Sequence, residues 1–127
     1  MNVLDKSALI DHFRGSEAAK SFIDDEAATT TITYYEIFQR IKHRNSKAED
    51  RFFRYFFSCL RVLDFDVYAA EVSSDIMANL MSLGTPVNGF DVLIAGIAVA
   101  NGAEKLITRD KDFLKISEVA DIEVQVY

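Results

Sequence analysis

Four carboxylates in this 127-residue chain occupy positions from which a turn or a helix start can aim them: Asp5, Glu36, Asp91 and Asp110. Their contexts are Val3-Leu4-Asp5-Lys6-Ser7, Thr31-Ile32-Thr33-Tyr34-Tyr35-Glu36, Phe90-Asp91-Val92-Leu93-Ile94-Ala95 and Thr108-Arg109-Asp110-Lys111-Asp112-Phe113. Each follows an apolar segment or opens a helix. Four acids gathered at one edge of a sheet would hold a hard divalent cation. Oxygen donors suit Mg²⁺ or Mn²⁺, whereas Zn²⁺ normally recruits Cys or His. The chemistry expected of such a site is metal-assisted hydrolysis.

The elements that would position these acids alternate along the chain. Val3-Leu4 reads as a short strand ending at Asp5, with Ser7 as the cap of a helix that carries Leu9, Ile10 and Phe13 and stops at Gly15. A short helix over residues 17–24 leads into a strand over 27–33, favoured by its β-branched threonines and Ile32, and Glu36 then lies in the first turns of the next helix. Residues 48–60 form a helix with two apolar stripes, one of Phe53, Phe56, Phe57 and Leu60, the other of Phe52, Tyr55 and Cys59. Two stripes imply two packing partners.

Val62, Leu63 and Phe65 read as another strand, and Ala69, Val72, Ile76, Leu80 and Leu83 recur at helical spacing. Residues 89–101 are apolar on nearly every side, so that helix should be central and buried, with Asp91 in its first turn. Strands at 105–107 and 122–126 complete the pattern, with Asp110 just past the first of them. Such alternation predicts an α/β domain with a parallel sheet, spanning residues 1–127 as one unit. Ligands of such sheets bind at the carboxyl ends of the strands, where all four acids could meet.

Half of the residues are hydrophobic, enough to bury a core. The longest apolar stretch, residues 92–100, is well short of the roughly 20 residues that cross a bilayer, and no basic-then-apolar leader precedes Asp5; a cytoplasmic location with no membrane contact is expected. Lone Cys59 has no partner for a disulfide or a thiolate metal site and reads as a small buried hydrophobe. A net charge of −6 argues against indiscriminate nucleic-acid binding. The stretch from Arg40 to Arg54 nevertheless concentrates Arg40, Lys42, His43, Arg44, Lys47, Arg51 and Arg54. It is either a phosphate-binding surface or an ordinary solvated hairpin.

Taken singly, the acids have ordinary explanations: Asp5 as a helix cap, Asp91 as a charge at a helix N-terminus, Asp112 as a turn residue or an outer-shell oxygen. Asp11, Asp24, Asp25, Glu26, Glu49, Glu71, Glu104 and Glu118 read as solvated surface charges. The order and spacing of the whole set carry more. From Val3 to Ser7, through Thr33 to Ile37, to Asp91–Ala98 and Leu106–Phe113, the chain resembles the PIN-domain proteins of the VapC toxin type over nearly its whole length.

That resemblance implies a three-layer α/β/α fold with a central, mostly parallel sheet, and a Mg²⁺- or Mn²⁺-dependent endoribonuclease that forms a homodimer and is neutralised by a small antitoxin. By position, Asp5, Glu36, Asp91 and Asp110 match the acidic quartet, with Asp5, Asp91 and Asp110 as metal ligands and Glu36 orienting the attacking water or completing a second metal position. Ser7 and Thr108 match hydroxyl residues near the metal, and Asp112 could share or take the role of Asp110. Lys6, Arg40 and Gly96 depart from the family pattern, which commonly has Thr or Ser, Gly and Ala there. Lys6, Arg40, Lys42 and Arg44 are the candidates for contact with RNA. The outer aromatic stripe of residues 48–60 could be covered by a second subunit or by an antitoxin helix. Two other functions compete: a catalytically silent PIN-like module that binds RNA or protein, and an aspartate-dependent phosphatase, which lacks its usual second aspartate because Ser7 stands at that position.

Overall fold

A computed structural model describes residues 1–127. The elements run β1 (Asn2–Leu4), α1 (Lys6–Phe13), α2 (Glu17–Lys20), β2 (Ala28–Thr30), α3 (Thr31–Arg44), α4 (Lys47–Cys59), β3 (Arg61–Leu63), α5 (Val67–Ser82), α6 (Gly89–Ala100), β4 (Lys105–Thr108), α7 (Phe113–Ser117) and β5 (Glu123–Val126). The five strands form one sheet in the order β3-β2-β1-β4-β5, every pair parallel. The chain leaves β1 toward β2 on one side and returns to β4 on the other. A crevice therefore opens beyond the carboxyl ends of β1 and β4, where ligands of open α/β sheets bind.

Strand alternation divides the core into two layers. Val3, Ala28, Leu63 and Leu106 face a cluster with Ile76 and Leu80 of α5 and Ile94 and Ile97 of α6. Leu4 and Ile107 point the other way, onto Leu9, Ile37, Ile41, Phe53 and Phe57. Helices on both faces make the expected three-layer α/β/α arrangement, and the sheet is parallel throughout. No helix is long and apolar enough to cross a membrane.

Several local expectations are corrected. Strand β2 stops at Thr30 because that residue's Oγ1 accepts from the Thr33 backbone N–H (3.1 Å) and caps α3, so residues 31–33 are helix. Asp5, not Ser7, caps α1, its Oδ1 accepting from Ala8 N–H at 3.0 Å. Phe65 lies outside β3, with its N–H donated to Thr31 Oγ1. Helix α7 had no periodic signal to announce it, being only five residues long.

On α4 the inner stripe behaves as expected, with Phe53 and Phe57 buried. The second stripe splits. Phe52 is half-buried against the His12 ring of α1, beside Phe56 of the first stripe, and also meets Phe13, whereas Tyr55 is 74% exposed and Cys59 is exposed. At about 100° per residue, Tyr55 falls about 160° round the helix from Phe53, whereas Cys59 shares the face of Phe52 but lies seven residues, about 10 Å, further along the axis. Cys59 is therefore a surface thiol.

Helices α5 and α6 approach at Gly96, which is buried. A Cβ built on Gly96 would lie 2.8 Å from Ser73 Cβ and 3.0 Å from Ser73 Cα, and closer still to Ser73 Oγ. Ser73 is buried, and its Oγ has no hydrogen-bond partner. Gly96→Ala should destabilise the chain by about 1–3 kcal/mol through overpacking. Ser73→Ala alone should be neutral or stabilising, because it deletes an unsatisfied buried hydroxyl. The double variant should melt above Gly96→Ala, and urea denaturation of the three proteins checks all of these outcomes.

Candidate active site

The site begins with the last turn of chain in β1. Asp5 follows buried Leu4 and is itself only 5% exposed, so its carboxylate must be satisfied from within. Oδ1 accepts from Ser7 Oγ (2.6 Å) and Ala8 N–H (3.0 Å), and Oδ2 accepts from Thr108 Oγ1 (2.5 Å) at the end of β4. Ser7 Oγ also accepts from the Arg109 N–H at 3.0 Å, and Thr108 Oγ1 from the Asp110 N–H at 3.0 Å. Both hydroxyl residues thus bind Asp5 and the β4 loop together. Burial raises the Asp5 pKa, the three hydrogen bonds oppose the rise, and the charge of Asp110 adds to it.

Glu36 projects from the second turn of α3, and Asp91 from the first turn of α6, where Asn88 Oδ1 caps the helix on Phe90 N–H (2.9 Å). Asp110 and Asp112 come from the loop after β4, with Asp110 Oδ1 accepting from Asp112 N–H at 2.9 Å. Asp112 makes no side-chain cap to α7. One cavity of about 310 Å³ is lined by Asp5, Lys6, Ser7, Glu36, Asn88, Asp91, Ile94, Asp110, Asp112 and Phe113. Five acids share it with one cation, Lys6, whose Nζ lies 3.8 Å from Glu36 Oε2. Burial, then the charges of Asp110, Glu36, Asp5 and Asp112, push the Asp91 pKa up to about 7. The Glu36 pKa is also raised by burial, with Lys6 opposing and Asp5 adding.

Of the residues singled out from sequence, the four acids, Asp112, Lys6 and Ser7 line this cavity, and Thr108 abuts it through Asp5. Arg40, Lys42 and Arg44 do not line it. Arg40 is engaged by Glu49, with Nη2 to Oε1 at 3.0 Å. Glu49 is buried rather than solvated, and its Oε2 has no partner. Asp11, also expected at the surface, is buried: it accepts from Tyr127 Oη (2.8 Å) and pairs with Arg109 Nη1 (3.4 Å). Sequence reading missed Asn88, whose type and place before the α6 apolar run are an N-cap signal.

No three acidic, His or Cys side chains are gathered closely enough to enclose an ion as they stand. The donor set nonetheless suits a hard divalent cation, being all carboxylate and hydroxyl oxygen. Burial and then mutual repulsion raise Asp91, and the repulsion is what such a cation would offset. Asp5 Oδ2 accepts a single hydrogen bond and keeps a lone pair for a ligand.

Residues 3–119 match the sequence model of the PIN domain family. Over 61 residues the chain is 39% identical to the tRNA(fMet)-specific endonuclease VapC of Salmonella typhimurium, a stretch that covers 48% of this chain and 46% of that protein. The chain thus spans about half the length of the curated relative it matches. The fold is similar to the DNA-bound VapBC of Salmonella typhimurium, with a TM-score of 0.80 at 26% identity over 98% of this chain and 96% of that one. It is also similar to VapBC-5 of Mycobacterium tuberculosis, from the VapBC family of toxin-antitoxin systems, with a TM-score of 0.79 at 24% identity over 99% and 98% of the two chains.

The electrostatics set a pH dependence. The folded pKa of Asp91, about 7, lies above the ordinary aspartate value of 3.8, so over that range the folded chain keeps a proton that the unfolded chain has released. Stability from this group is full below about 4 and is lost as pH rises through about 7; Asp5 and Glu36 shift in the same direction. In chelator, the melting temperature should fall between pH 5.5 and pH 8. Asp91→Asn should flatten that fall and melt at the same temperature as the parent or higher at pH 8, and added Mg²⁺ should raise the parent more than the variant. Scanning fluorimetry checks each outcome. A large loss of stability in Asp91→Asn at pH 8 would identify Asp91 as a structural helix-terminus charge.

Proposed function

The chain belongs to the PIN domain family, and on that footing we propose that it is a divalent-metal-dependent endoribonuclease, the toxin of a toxin–antitoxin pair. The observation that carries the proposal is the five-acid cavity at the carboxyl ends of β1 and β4, with a single lysine against it. The similarity to an endonuclease from Salmonella typhimurium and to VapBC complexes supports the choice of reaction and partner. A homodimer fits the exposed aromatic and apolar side chains Tyr35, Phe65, Val67, Tyr68 and Phe90. The cytoplasm, which holds both RNA and an antitoxin, is the place where this activity would act.

Asp5, Asp91 and Asp110, or Asp112 in place of the last, would hold Mg²⁺ or Mn²⁺. Bound there, the cation would make water more acidic and offset charge on the phosphoryl oxygens. The chain's own residues do the rest. Ser7 and Thr108 orient the Asp5 carboxylate and leave one lone pair of Oδ2 free. Glu36, half-buried in the cavity and paired with Lys6, would orient the attacking water, and the rise that burial gives its pKa makes it a stronger proton acceptor than an exposed glutamate. Lys6 holds Glu36 in the cavity and presents a positive charge at its mouth, facing an incoming phosphodiester. Neither histidine is placed to act in its stead, since His12 packs on Phe52 and Phe56, and neither residue lines the cavity.

Incubation with total cellular RNA and Mg²⁺ or Mn²⁺ should give discrete fragments with 5′-phosphate and 3′-hydroxyl ends, as expected of direct attack by water. Chelator should stop the reaction. Asp5→Asn and Asp91→Asn should reduce cleavage to background, and Glu36→Gln should slow it by about 10²–10⁴-fold, the usual worth of a positioned proton acceptor. Mg²⁺ binding by calorimetry without any cleavage would instead identify a silent binding module. 2′,3′-Cyclic phosphate ends would show that the ribose hydroxyl attacks.

A further inference from the structure

The chain carries 14 Lys and Arg against 20 Asp and Glu, so most of its surface repels a polyphosphate. Six of the 14 are held in ion pairs: Lys6, Arg40, Arg54, Lys105, Arg109 and Lys115. Of the eight left, four sit together at the α3–α4 hairpin: Lys42, Arg44, Lys47 and Arg51, all exposed. Lys42, Lys47 and Arg51 line an open groove of about 550 Å³ with Asn45, Ser46 and Asp50, floored by Ile41. Asp50 is taken by Arg54, at 3.3 Å, so positive charge in the groove is in excess.

The groove stands on a defined turn. Asn45 takes a left-handed conformation (φ 52°), Ser46 Oγ accepts from Glu49 N–H at 3.3 Å, and the Arg40–Glu49 pair cross-links the two helices. Helix α3 also carries Glu36, six residues before the groove-lining Lys42, which is about 9 Å along the axis at about 1.5 Å per residue and about 120° round it. Roughly three stacked nucleotides cover that axial distance, at about 3.4 Å each.

Building on the endoribonuclease reading, we propose that this groove binds the phosphate backbone of the RNA substrate away from the scissile bond. Lys and Arg without any aromatic ring in the lining suit phosphates and not bases, so the groove contributes affinity and register rather than base identity. A protein partner would need an apolar centre to its interface, and here the groove offers Ile41 alone. The assignment replaces Arg40, which Glu49 already holds, with Lys47 and Arg51.

Binding is read by anisotropy of a labelled single-stranded RNA oligonucleotide in chelator, and cleavage is read separately with Mg²⁺. Lys42→Glu/Lys47→Glu/Arg51→Glu should weaken RNA binding about tenfold or more. It should lower the slope of log K against log salt by about 2, at about 0.7 per lost phosphate contact on a single strand. KM for long RNA should rise with kcat unchanged. Lys42→Gln/Lys47→Gln/Arg51→Gln should move each value the same way by less, and it keeps the test valid if charge reversal perturbs folding. Unchanged RNA affinity in the glutamine variant, or loss of a protein partner with RNA affinity intact, overturns the proposal. Failure of the parent to cleave RNA with Mg²⁺, or parental cleavage by Asp5→Asn, overturns the nuclease reading instead, whatever the anisotropy shows.

Discussion

The Asp5 carboxylate is gripped by three donors from two distant parts of the chain, and the functional edge is assembled around that grip. Leu4 commits the preceding residue to the core, so Asp5 emerges buried between β1 and α1. A buried carboxylate costs several kcal/mol unless its oxygens are satisfied. Ala8 N–H satisfies it from α1, Ser7 Oγ from the same turn, and Thr108 Oγ1 from β4, 103 residues away in sequence. Since β1 and β4 are paired in register from Asn2↔Lys105 to Leu4↔Ile107, the contact follows from the sheet. Through the N–H groups of Arg109 and Asp110, the same hydroxyls anchor the loop that bears the fourth acid. One carboxylate therefore starts a helix, ties two strands and fixes a loop while keeping a lone pair for a ligand.

The remaining acids work against folding. Asp91, Glu36, Asp110 and Asp112 add negative charge to a cavity where Lys6 is the one positive group; burial and then that charge raise the Asp91 pKa, while burial raises Glu36 against the relief that Lys6 gives. Lys6 relieves Glu36 alone. A hydrophobic core on both sheet faces supplies the stability against which such a site can be held open. Local charge conflict supported by surrounding structure is the physical signature of a site kept for chemistry rather than for stability.

Sequence reading recovered what short-range rules determine. The strand–helix order, the buried helix α6 and the convergence of the four acids all follow from periodicity and from the carboxyl-end rule for parallel sheets. It failed where burial depends on a distant partner. Glu49 and Asp11 look like surface acids because nothing near them in sequence announces Arg40 across the hairpin or Tyr127 Oη from beyond β5. The cap of α1 was misassigned to Ser7 because both residues are good caps and only the turn geometry separates them. Cys59 has apolar neighbours and shares the face of Phe52, yet it is exposed two turns further along α4, where α1 no longer supplies a ring against it.

The position of Asp91 depends on a contact well away from the cavity. Asp91 opens α6, and five residues on, Gly96 lets α6 close on α5 at Ser73, nearer than any side chain on that residue would permit. The resemblance leads one to expect alanine at that place; here glycine stands there and Ser73 occupies the space a methyl group would take. The hydroxyl of Ser73 remains without a partner, so the pair is tolerated for its fit rather than for its hydrogen bonding. Because a packed interior transmits displacement instead of absorbing it, a change of one methyl group there would shift α6 as a body. The shift would reach the acid at its first turn. The acidic site is in this sense set by core packing on the α5–α6 face as much as by the hydrogen bonds around Asp5.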